Sequence, residues 1–472
     1  MTIINLKLDK PYRNIDQSTL TNNLYLLQDV YRDEAGAIHK RPGLLEYVDL
    51  GTSASIDGLF WWDFHEVYIV ISGGNVYKVS DSNGTFTQIG TGIMQLANRV
   101  TFAEVYDITN SELRLFMANG GSIYYTNGTT CTIVSGSSAP TRCTHVFGID
   151  TYLLCNDLDF PFLWRSSNVE DPTVIANAYD AQIISDKVNG LYGANGRVFV
   201  TGRKSIEPFY DSGDTTPFRK VNGALIESGT PTPYAFGVSG NIPFYFNTDR
   251  EVVLLNGYSP VVISGAYGRR IHELSYTNDV EVDYVGGFGG RKWLLFSFND
   301  ANLTIVYDMV TEEWYEWGKW NVSEYNQFIG RCYAYSSSWN IHVIGNRADG
   351  KLYKMSEEYT SDGGATIRCE VVTGNYDHGK NDYKTSNALF VDIRRGDGIT
   401  GSPYTSGKLQ VQTRDNRSYT WGNQIEIDLG QIGQSEWLAA FRPMGRYRSR
   451  QYRFVFQDNS KFVMNGIQED AS

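Results

Sequence analysis

The sequence predicts an all-β protein: a β-propeller of about seven blades, with six as the alternative, followed by a small C-terminal β-sandwich. Three observations lead to this fold class. Short apolar strands recur in pairs around polar turns, and successive pairs are 39 to 53 residues apart. A period near 45 residues in an all-β sequence is typical of four-stranded propeller blades. Finally, 14% of the chain is aromatic and 47 residues are glycine, a composition that favours pleated strands joined by tight turns.

Residues 1–50 are predicted to be an N-terminal lead-in that also supplies a strand closing the propeller. Residues 23–32 alternate as a strand does, and Pro42-Gly43 marks a fixed turn. If one of the later hairpins serves as the closure, strand 24–32 completes a ring of six blades.

Residues 51–360 are predicted to form the propeller itself. Each repeat has an apolar strand, a polar turn and a second strand centred on an aromatic or aliphatic anchor. The seven anchors are Tyr77, Tyr124, Leu163, Phe209, Leu254, Tyr307 and Tyr353. Solenoids of helix pairs have a similar period, but they need amphipathic stretches of about 12 residues, and none is evident.

Residues 361–472 are predicted to form a C-terminal domain that resembles a β-sandwich, after a linker at residues 360–364. The spacing of strands becomes shorter here, and polar loops separate them. The candidate strands are 367–372, 388–393, 409–412, 424–427, 452–456 and 462–464.

Composition limits the classes of function. The formal net charge is −12, so the whole surface is not suited to binding nucleic acid by neutralising phosphates, although an acidic passage would let DNA slide without sticking. The five cysteines form no CxxC pair, which predicts neither a disulfide framework nor a zinc site and favours folding in a reducing cytoplasm. We expect no secretory signal at Met1–Asn5, and no membrane span.

No pattern predicts catalysis, a cofactor or a metal. The histidines are single and lack an HxxxH partner: His39, His65, His145, His272, His342 and His378. A GxSxG nucleophile motif is absent, and Gly286–Gly290 lacks the following GK[ST] of a phosphate-binding loop. Asp81–Gly84 and Asp211–Asp214 suit turns better than calcium loops. Glu312-Glu313 and Glu357-Glu358 are paired carboxylates of the kind that glycosidases use, but that chemistry depends on their separation in space.

One cluster of charge has a regular pattern. Arg446, Arg448 and Arg450 alternate, so on a strand they share one face; Arg442 and Arg453 flank them. Two interpretations stay open for this cluster. It is either a solvated face of the sandwich, or a surface that docks an acidic partner subunit or contacts DNA, with Arg446, Arg448, Arg450 and Arg453 as the subunit interface.

Several short motifs, in the same order along the chain, resemble those of a known family. The matching stretches are Lys40-Arg41-Pro42-Gly43, Ile206-Glu207-Pro208-Phe209-Tyr210, Ser212-Gly213-Asp214, Pro217-Phe218, Ile226-Glu227-Ser228-Gly229, residues 257–264, residues 307–314 and Gly445-Arg446-Tyr447-Arg448. They resemble the tail hub or nozzle proteins of short-tailed double-stranded DNA phages, which are called packaged-DNA stabilisation proteins. Thr230 departs from the family pattern, which has cysteine there.

The resemblance implies a structural virion protein without enzyme activity, synthesised and assembled in the host cytoplasm. It implies a six-fold ring of identical subunits below the portal and adaptor rings. Such a ring holds the packaged double-stranded DNA, later conducts it without sequence-specific binding, and carries tail fibres or spikes. Heterologous interfaces close into rings of this kind.

Two other functions stay open from the residues alone. A carbohydrate-active or glycan-binding propeller would use exposed aromatic side chains such as Trp61-Trp62 to stack on sugars. A scaffold propeller of a cellular complex is the third alternative, although the WD dipeptides of such repeats are missing.

Overall fold

The computed structural model of the protein describes residues 2–14, 23–181, 183–275, 277–402, 405–434 and 439–472. In these residues the regular secondary structure consists almost entirely of short β-strands, most of them antiparallel and arranged as a β-propeller, which confirms the predicted fold class. Six blades of four consecutive strands follow one another, and a seventh combines three consecutive strands with one strand from the N-terminal segment.

The blades are numbered here in chain order. Blade 1 comprises Ile56–Trp62, Val67–Ser72, Asn75–Val79 and Phe86–Gly90. Blade 2 comprises Thr101–Asp107, Glu112–Ala118, Tyr124–Thr126 and Cys131–Ile133. Blade 3 comprises Val146–Ile149, Tyr152–Asn156, Leu163–Ser167 and Ile175–Asp180. Blade 4 comprises Gly190–Ala194, Arg197–Thr201, Ile206–Asp211 and Phe218–Lys220.

The remaining blades follow the same plan. Blade 5 comprises Phe236–Ser239, Ile242–Phe246, Val252–Asn256 and Ser259–Val262. Blade 6 comprises Val280–Gly286, Lys292–Phe298, Leu303–Asp308 and Glu313–Asn321, and its last strand also pairs with Glu324–Gln327. Blade 7 comprises Gly330–Ser336, Ile341–Asn346, Lys351–Ser356 and the N-terminal strand Gly43–Asp49, extended by Ser361–Asp362 and Ala365–Thr366.

The predicted anchors all lie in the third strand of a blade, one in each. The second strands are buried along most of their length; all six side chains of Val67–Ser72 are buried. Separate apolar clusters fill the interfaces between neighbouring blades from blade 7 through blade 1 to blade 6. Because each blade is covered on both sides, its second strand is a continuous apolar run, and the burial of these strands is the main stabilising force.

The strand that closes the ring is Gly43–Asp49, which pairs antiparallel with Lys351–Ser356. The alternative in which strand 24–32 completes a ring of six blades is therefore wrong. That stretch forms two short strands, Leu26–Gln28 and Val30–Arg32, which pair elsewhere. Leu27 and Val30 are fully buried in the core of the second β structure, and this burial draws the stretch away from the propeller.

This second structure is a pair of sheets made by both ends of the chain. One sheet has the order Val30–Arg32, Ile38–Lys40, Val463–Ala471, Lys384–Ile393 and Ala439–Phe441, with Thr2–Leu6 and Gly445–Tyr447 paired to its central strands. The other continues blade 6 through Leu26–Gln28, Cys369–Val372, Arg450–Phe456, Lys408–Asp415 and Ile425–Asp428. One apolar cluster joins the two sheets and also includes Trp293 and Trp317 of blade 6. We call these two sheets the terminal sandwich.

Within the described ranges, helical structure is confined to short connections. The helices are Asp63–His65, Ser264–Ala266 and Asn299–Ala301, which are of the 3₁₀ type, and the α-helix Gly268–His272. In the described residues there is no helix long and apolar enough to cross a membrane.

Candidate functional site

The residues that close the propeller meet at the buried side chain of Arg41. Its Nε donates to Asp29 at 2.7 Å, and both terminal nitrogens donate to the carboxylate of Asp362. One of them also donates to the carbonyl of Gly318 at 3.2 Å, while the Gly318 N–H donates to Asp29 at 2.8 Å. We call this group, Arg41, Asp29, Asp362 and Gly318, the closure joint. It ties the N-terminal segment to blade 6 and to the extension of blade 7.

Gly43 begins the closing strand beside this joint. A Cβ at this position would lie 2.4 Å from the carbonyl oxygen of Tyr359, so no side chain fits. The guanidinium of Arg41 lies 4.7 Å above the ring of Phe328, which adds a cation–π contact. The ring of blades is therefore closed at the motif Lys40-Arg41-Pro42-Gly43, which was predicted as a turn.

A second charged network joins the first strands of blades 6, 7 and 1. Arg331 of blade 7 donates to Asp57 of blade 1 at 2.6 Å and to Glu281 of blade 6 at 3.0 and 2.6 Å. All three side chains are buried. Burial alone would raise the pKa of Glu281, but the Arg331 guanidinium and its hydrogen bonds outweigh burial and lower that pKa to about 2. The carboxylate is therefore charged and holds blade 7 to blade 6.

A further ion pair crosses the axis of the propeller. Arg99, just before the first strand of blade 2, donates with both terminal nitrogens to Asp283 in the first strand of blade 6. The hydroxyl of Tyr234 donates to the Arg99 carbonyl at 2.8 Å. A cavity of about 350 Å³ remains beside the pair, lined partly by Phe102 and Phe147. A double helix, whose major groove alone is about 12 Å wide, does not fit along this axis.

His145 lies in the same region and forms no ion pair with any residue that the structure describes. Its Nε2 is hydrogen-bonded to the Tyr192 hydroxyl at 2.9 Å, and its ring stacks on Tyr234. Burial lowers the pKa of His145 to about 3, and the nearby Arg99 acts in the same direction. The imidazole is therefore neutral at physiological pH and has a structural environment.

Two parts of the blade 4 motif that carries much of the family resemblance contact each other. Ile206 and Ile226 exchange two backbone hydrogen bonds, of 2.9 and 3.1 Å. A Cβ on Gly229 would lie 2.3 Å from the backbone carbon of Arg203, so this position needs glycine. Thr230, the departure from the family pattern, is fully buried and its N–H donates to the carbonyl of Gly202 at 2.8 Å.

The arginine cluster of the terminal sandwich divides into two groups. Arg450 is 1% exposed and binds Asp415 with two hydrogen bonds, of 2.7 and 2.8 Å. Arg453 binds Glu370 in the same bidentate way, at 2.7 and 2.9 Å. Both of these arginines are occupied within the chain by the carboxylates they face.

Arg446 and Arg448 form the other group and are exposed. Their guanidinium carbons lie 4.8 and 4.5 Å from the centre of one ring, that of Tyr383, which is 51% exposed. Neither has a carboxylate partner among the described residues. We call these three residues the arginine clamp. Arg442 is also exposed and lies over Phe390, at 5.3 Å.

The prediction that Arg446, Arg448 and Arg450 share one strand face is wrong. The strand Gly445–Tyr447 ends before Arg448, and a new strand, in the other sheet, begins at Arg450. The change of sheet turns Arg450 into the core and leaves Arg446 and Arg448 outside. The role of the four arginines as a subunit interface stays a prediction.

Tyr383 was missed by reasoning from the sequence. It lies more than sixty residues before the arginines, and only the pairing of Lys384–Ser386 with Gly445–Tyr447 brings it beside them. The axial residues Arg99 and Arg331 were missed as well. Their signal is a charged residue in or next to the first strand of a blade, where apolar side chains dominate.

The candidate catalytic and metal-binding residues are accounted for by other contacts. Glu313 forms an ion pair with Arg32 at 3.2 Å, and Glu357 accepts a hydrogen bond from Tyr31 at 2.9 Å. Glu358 forms an ion pair with Lys461 at 2.8 Å. Across the described ranges no three histidine, cysteine or acidic side chains lie together as metal ligands would. The absence of a cofactor and of enzyme activity stays a prediction.

Comparison with known proteins identifies a phage family. The family model described as phage stabilisation protein, bacteriophage P22 Gp10, β-propeller, matches residues 12–360. No curated protein sequence matches significantly.

The solved structures that are similar to this chain share little sequence with it. Streptogramin B lyase is 9% identical, with 67% of this chain and 98% of that chain covered and a TM-score of 0.46. YCF48 bound to D1 peptide is 10% identical, with 67% and 97% covered and a TM-score of 0.42. The extracellular domain of the one-component system BT4673 from B. thetaiotaomicron is 11% identical, with 89% and 63% covered and a TM-score of 0.44. At these values none of them informs the function of this chain.

Proposed function

Because the chain belongs to the phage stabilisation family of the bacteriophage P22 Gp10 β-propeller, we propose that it is a structural subunit of a short phage tail. In this proposal six copies form a hub or nozzle ring below the portal and adaptor. The ring retains the packaged double-stranded DNA and later conducts it out of the particle. The chain acts in the virion as a structural protein and not as an enzyme.

The observation that carries the proposal is the extent of the family match. Residues 12–360 run from the N-terminal segment to just beyond Lys351–Ser356, the third strand of blade 7. The match thus includes the closing strand Gly43–Asp49 and Arg41 of the closure joint, so it covers a propeller that is closed by its own N-terminal segment. A match to a few isolated blades would not reach both partners of the closing pair.

In this proposal the DNA passes through the centre of the ring of subunits, and not through the axis of one propeller. The ion pair between Arg99 and Asp283 crosses that axis. A net charge of −12 suits a lumen that repels phosphates, because DNA then slides through it without being held.

The remaining partners follow from the same family function. The adaptor protein would bind one face of the ring, and tail fibres or spikes would bind its periphery. The propeller and the terminal sandwich share one apolar core, so we propose that each subunit joins the tail as one rigid unit that offers both parts as contact surfaces.

The test is to delete the gene from its phage and to examine the particles. We expect heads that package DNA but lose it, so that the DNA becomes sensitive to nuclease, while the gene supplied from a plasmid restores nuclease resistance. Electron microscopy of wild-type virions should show a six-fold ring below the adaptor. Virions that lack the protein in mass spectrometry, or a deletion phage that retains its DNA, would contradict the proposal.

A further inference from the structure

The arginine clamp places two positive charges beside one aromatic ring, and neither charge has a carboxylate partner among the described residues. Arg450 and Arg453, which lie in the strand Arg450–Phe456, are each neutralised by a carboxylate of the chain. Arg446 and Arg448 instead both lie over the ring of Tyr383. Stacking on an aromatic ring holds a guanidinium while its N–H groups stay available for another ligand.

The backbone of the clamp is fixed as well. Arg446 lies on the strand Gly445–Tyr447, in register with Thr385. The Arg448 N–H donates to Asn416 at 2.8 Å, and its carbonyl accepts from the ammonium of Lys384 at 2.7 Å. The two guanidinium groups thus need little ordering when a ligand binds, which reduces the entropic cost of association.

From this geometry we propose that the arginine clamp binds a carboxylate-bearing segment of a second copy of this chain. The inference rests on the proposed function, in which copies of the chain form a ring. Guanidinium groups bind carboxylates in a planar, bidentate way. The chain has 53 acidic against 41 basic residues, so the surface of another copy supplies the complementary charge.

Charge complementarity of this kind also suits the symmetry of a ring. A clamp on one face of the subunit and an acidic segment on a different face form a heterologous interface, and repetition of such an interface closes a ring. Charge pairs at an interface fix the register of the partners and raise the rate of their encounter.

Phosphates of DNA are the other anions that arginines bind, but the clamp is too small for that use. Proteins that hold DNA through its backbone make on the order of 6–10 phosphate contacts, whereas the clamp offers two exposed guanidinium groups. The ammonium of Lys384 beside them is engaged by three carbonyl oxygens of the chain. An acidic protein segment is therefore the favoured ligand.

The test compares the self-association of the full-length wild-type chain with that of Arg446→Glu/Arg448→Glu, by sedimentation velocity at low and high salt. We expect the wild type to form oligomers that weaken at high salt, and the double variant to be monomeric, with a dissociation constant at least about a hundredfold higher because like charges then face each other. Tyr383→Ala, which removes only the platform, should weaken association by about tenfold or less.

The matched control is Arg203→Glu/Lys204→Glu, which reverses two exposed charges on blade 4 and should associate as the wild type does. A thermal unfolding midpoint equal to that of the wild type shows that the clamp variant is folded. A wild type that stays monomeric, or a clamp variant that associates normally, overturns the inference.

Two further readouts separate the possible failures. If the clamp variant loses affinity for a short DNA duplex but not for itself, the ligand is DNA and the inference is wrong. Mass spectrometry of virions tests the proposed function independently. A chain that is present in virions but associates without the clamp overturns the inference alone, and a chain that is absent from virions overturns the proposed function.

Discussion

Arg41 and Arg446 illustrate two uses of the same side chain in one molecule. Arg41 is buried, and its donors are taken up by two carboxylates and two backbone carbonyls of the chain itself. Arg446 is exposed and stacks on a tyrosine, and it has no carboxylate partner in the part of the chain that the structure describes. A buried guanidinium that loses its partners destabilises the fold, whereas an exposed one can be replaced at little cost. The comparison indicates that the first kind holds the chain together and the second kind is available to another molecule.

The largest effect is expected from Arg41→Met. The substitution leaves the buried carboxyl groups of Asp29 and Asp362 without their guanidinium partner, which should lower the free energy of unfolding by about 3–5 kcal/mol. Urea unfolding followed by fluorescence measures this. Arg203→Met, at an exposed site, is the control and should change the free energy by less than about 0.5 kcal/mol. Equal stability of the two variants would mean that the closure joint does not hold the ring.

A pH titration of stability compares two buried groups: the carboxylate of Glu281, which is paired with Arg331, and the imidazole of His145, which forms no ion pair among the described residues. The pKa of His145 is lowered to about 3 by burial, so the unfolded chain binds this proton first and stability falls as the pH drops below about 6.5. The pKa of Glu281 is lowered to about 2 by Arg331. The contribution of Glu281 to stability is complete at pH values above the usual carboxyl pKa, and it is lost as the pH falls from there toward 2.

Between pH 6.5 and 4.5, therefore, His145 titrates and Glu281 does not. The wild type should lose about 1.4 kcal/mol per pH unit more than His145→Gln over this range, because the variant lacks the one proton at issue. Unfolding measured at several pH values gives the two slopes. Parallel slopes would show that His145 is not held in its neutral form.

A smaller effect is expected where the backbone alone is crowded. Gly43→Ala places a Cβ 2.4 Å from the Tyr359 carbonyl and should cost about 1–3 kcal/mol of stability through forced displacement of the closing strand. Gly466→Ala, where nothing lies within 4 Å of the added carbon, is the matched control in the same unfolding assay. If Gly43→Ala is as stable as the control, the closing strand can accommodate a Cβ at this position, and the predicted crowding against Tyr359 is wrong.

The smallest effects concern the arginine cluster and bear most closely on the comparison. Arg450→Ala removes a bidentate contact to Asp415 and should lower the unfolding free energy by about 1–3 kcal/mol. Arg446→Ala should change it by less than about 0.5 kcal/mol. Thermal unfolding of both variants in parallel gives the answer. A larger loss for Arg446→Ala than for Arg450→Ala would reverse the assignment of inner and outer arginines.

Much of the propeller could be predicted because its information is local. Each hairpin has an apolar strand, a turn and an anchor such as Tyr77 or Tyr353 within about a dozen residues, and the period of the anchors then predicts blades. The closing strand could not be predicted in the same way. Gly43–Asp49 pairs with Lys351–Ser356, some three hundred residues later, and no local pattern distinguishes it from the neighbouring strand at Leu26–Gln28.

The arginine cluster was predictable as a concentration of charge but not as an arrangement. The alternation of Arg446, Arg448 and Arg450 suits one strand face, and it fails because the chain leaves one sheet and enters the other between Tyr447 and Arg450. Tyr383, which organises the exposed pair, comes from a distant strand. The alternation of residues along the sequence predicts which face of a sheet a side chain lies on, but only for residues within one unbroken strand.

The most direct test of the two uses of arginine is one experiment on two variants. Arg41→Met and Arg446→Glu/Arg448→Glu are each measured for thermal unfolding midpoint and for oligomeric mass. We predict that Arg41→Met lowers the midpoint strongly, and that the clamp variant keeps the wild-type midpoint but loses the oligomer. A clamp variant that unfolds early, or one that keeps its full oligomeric mass, would contradict the division between arginines that hold the chain and arginines that bind a neighbour.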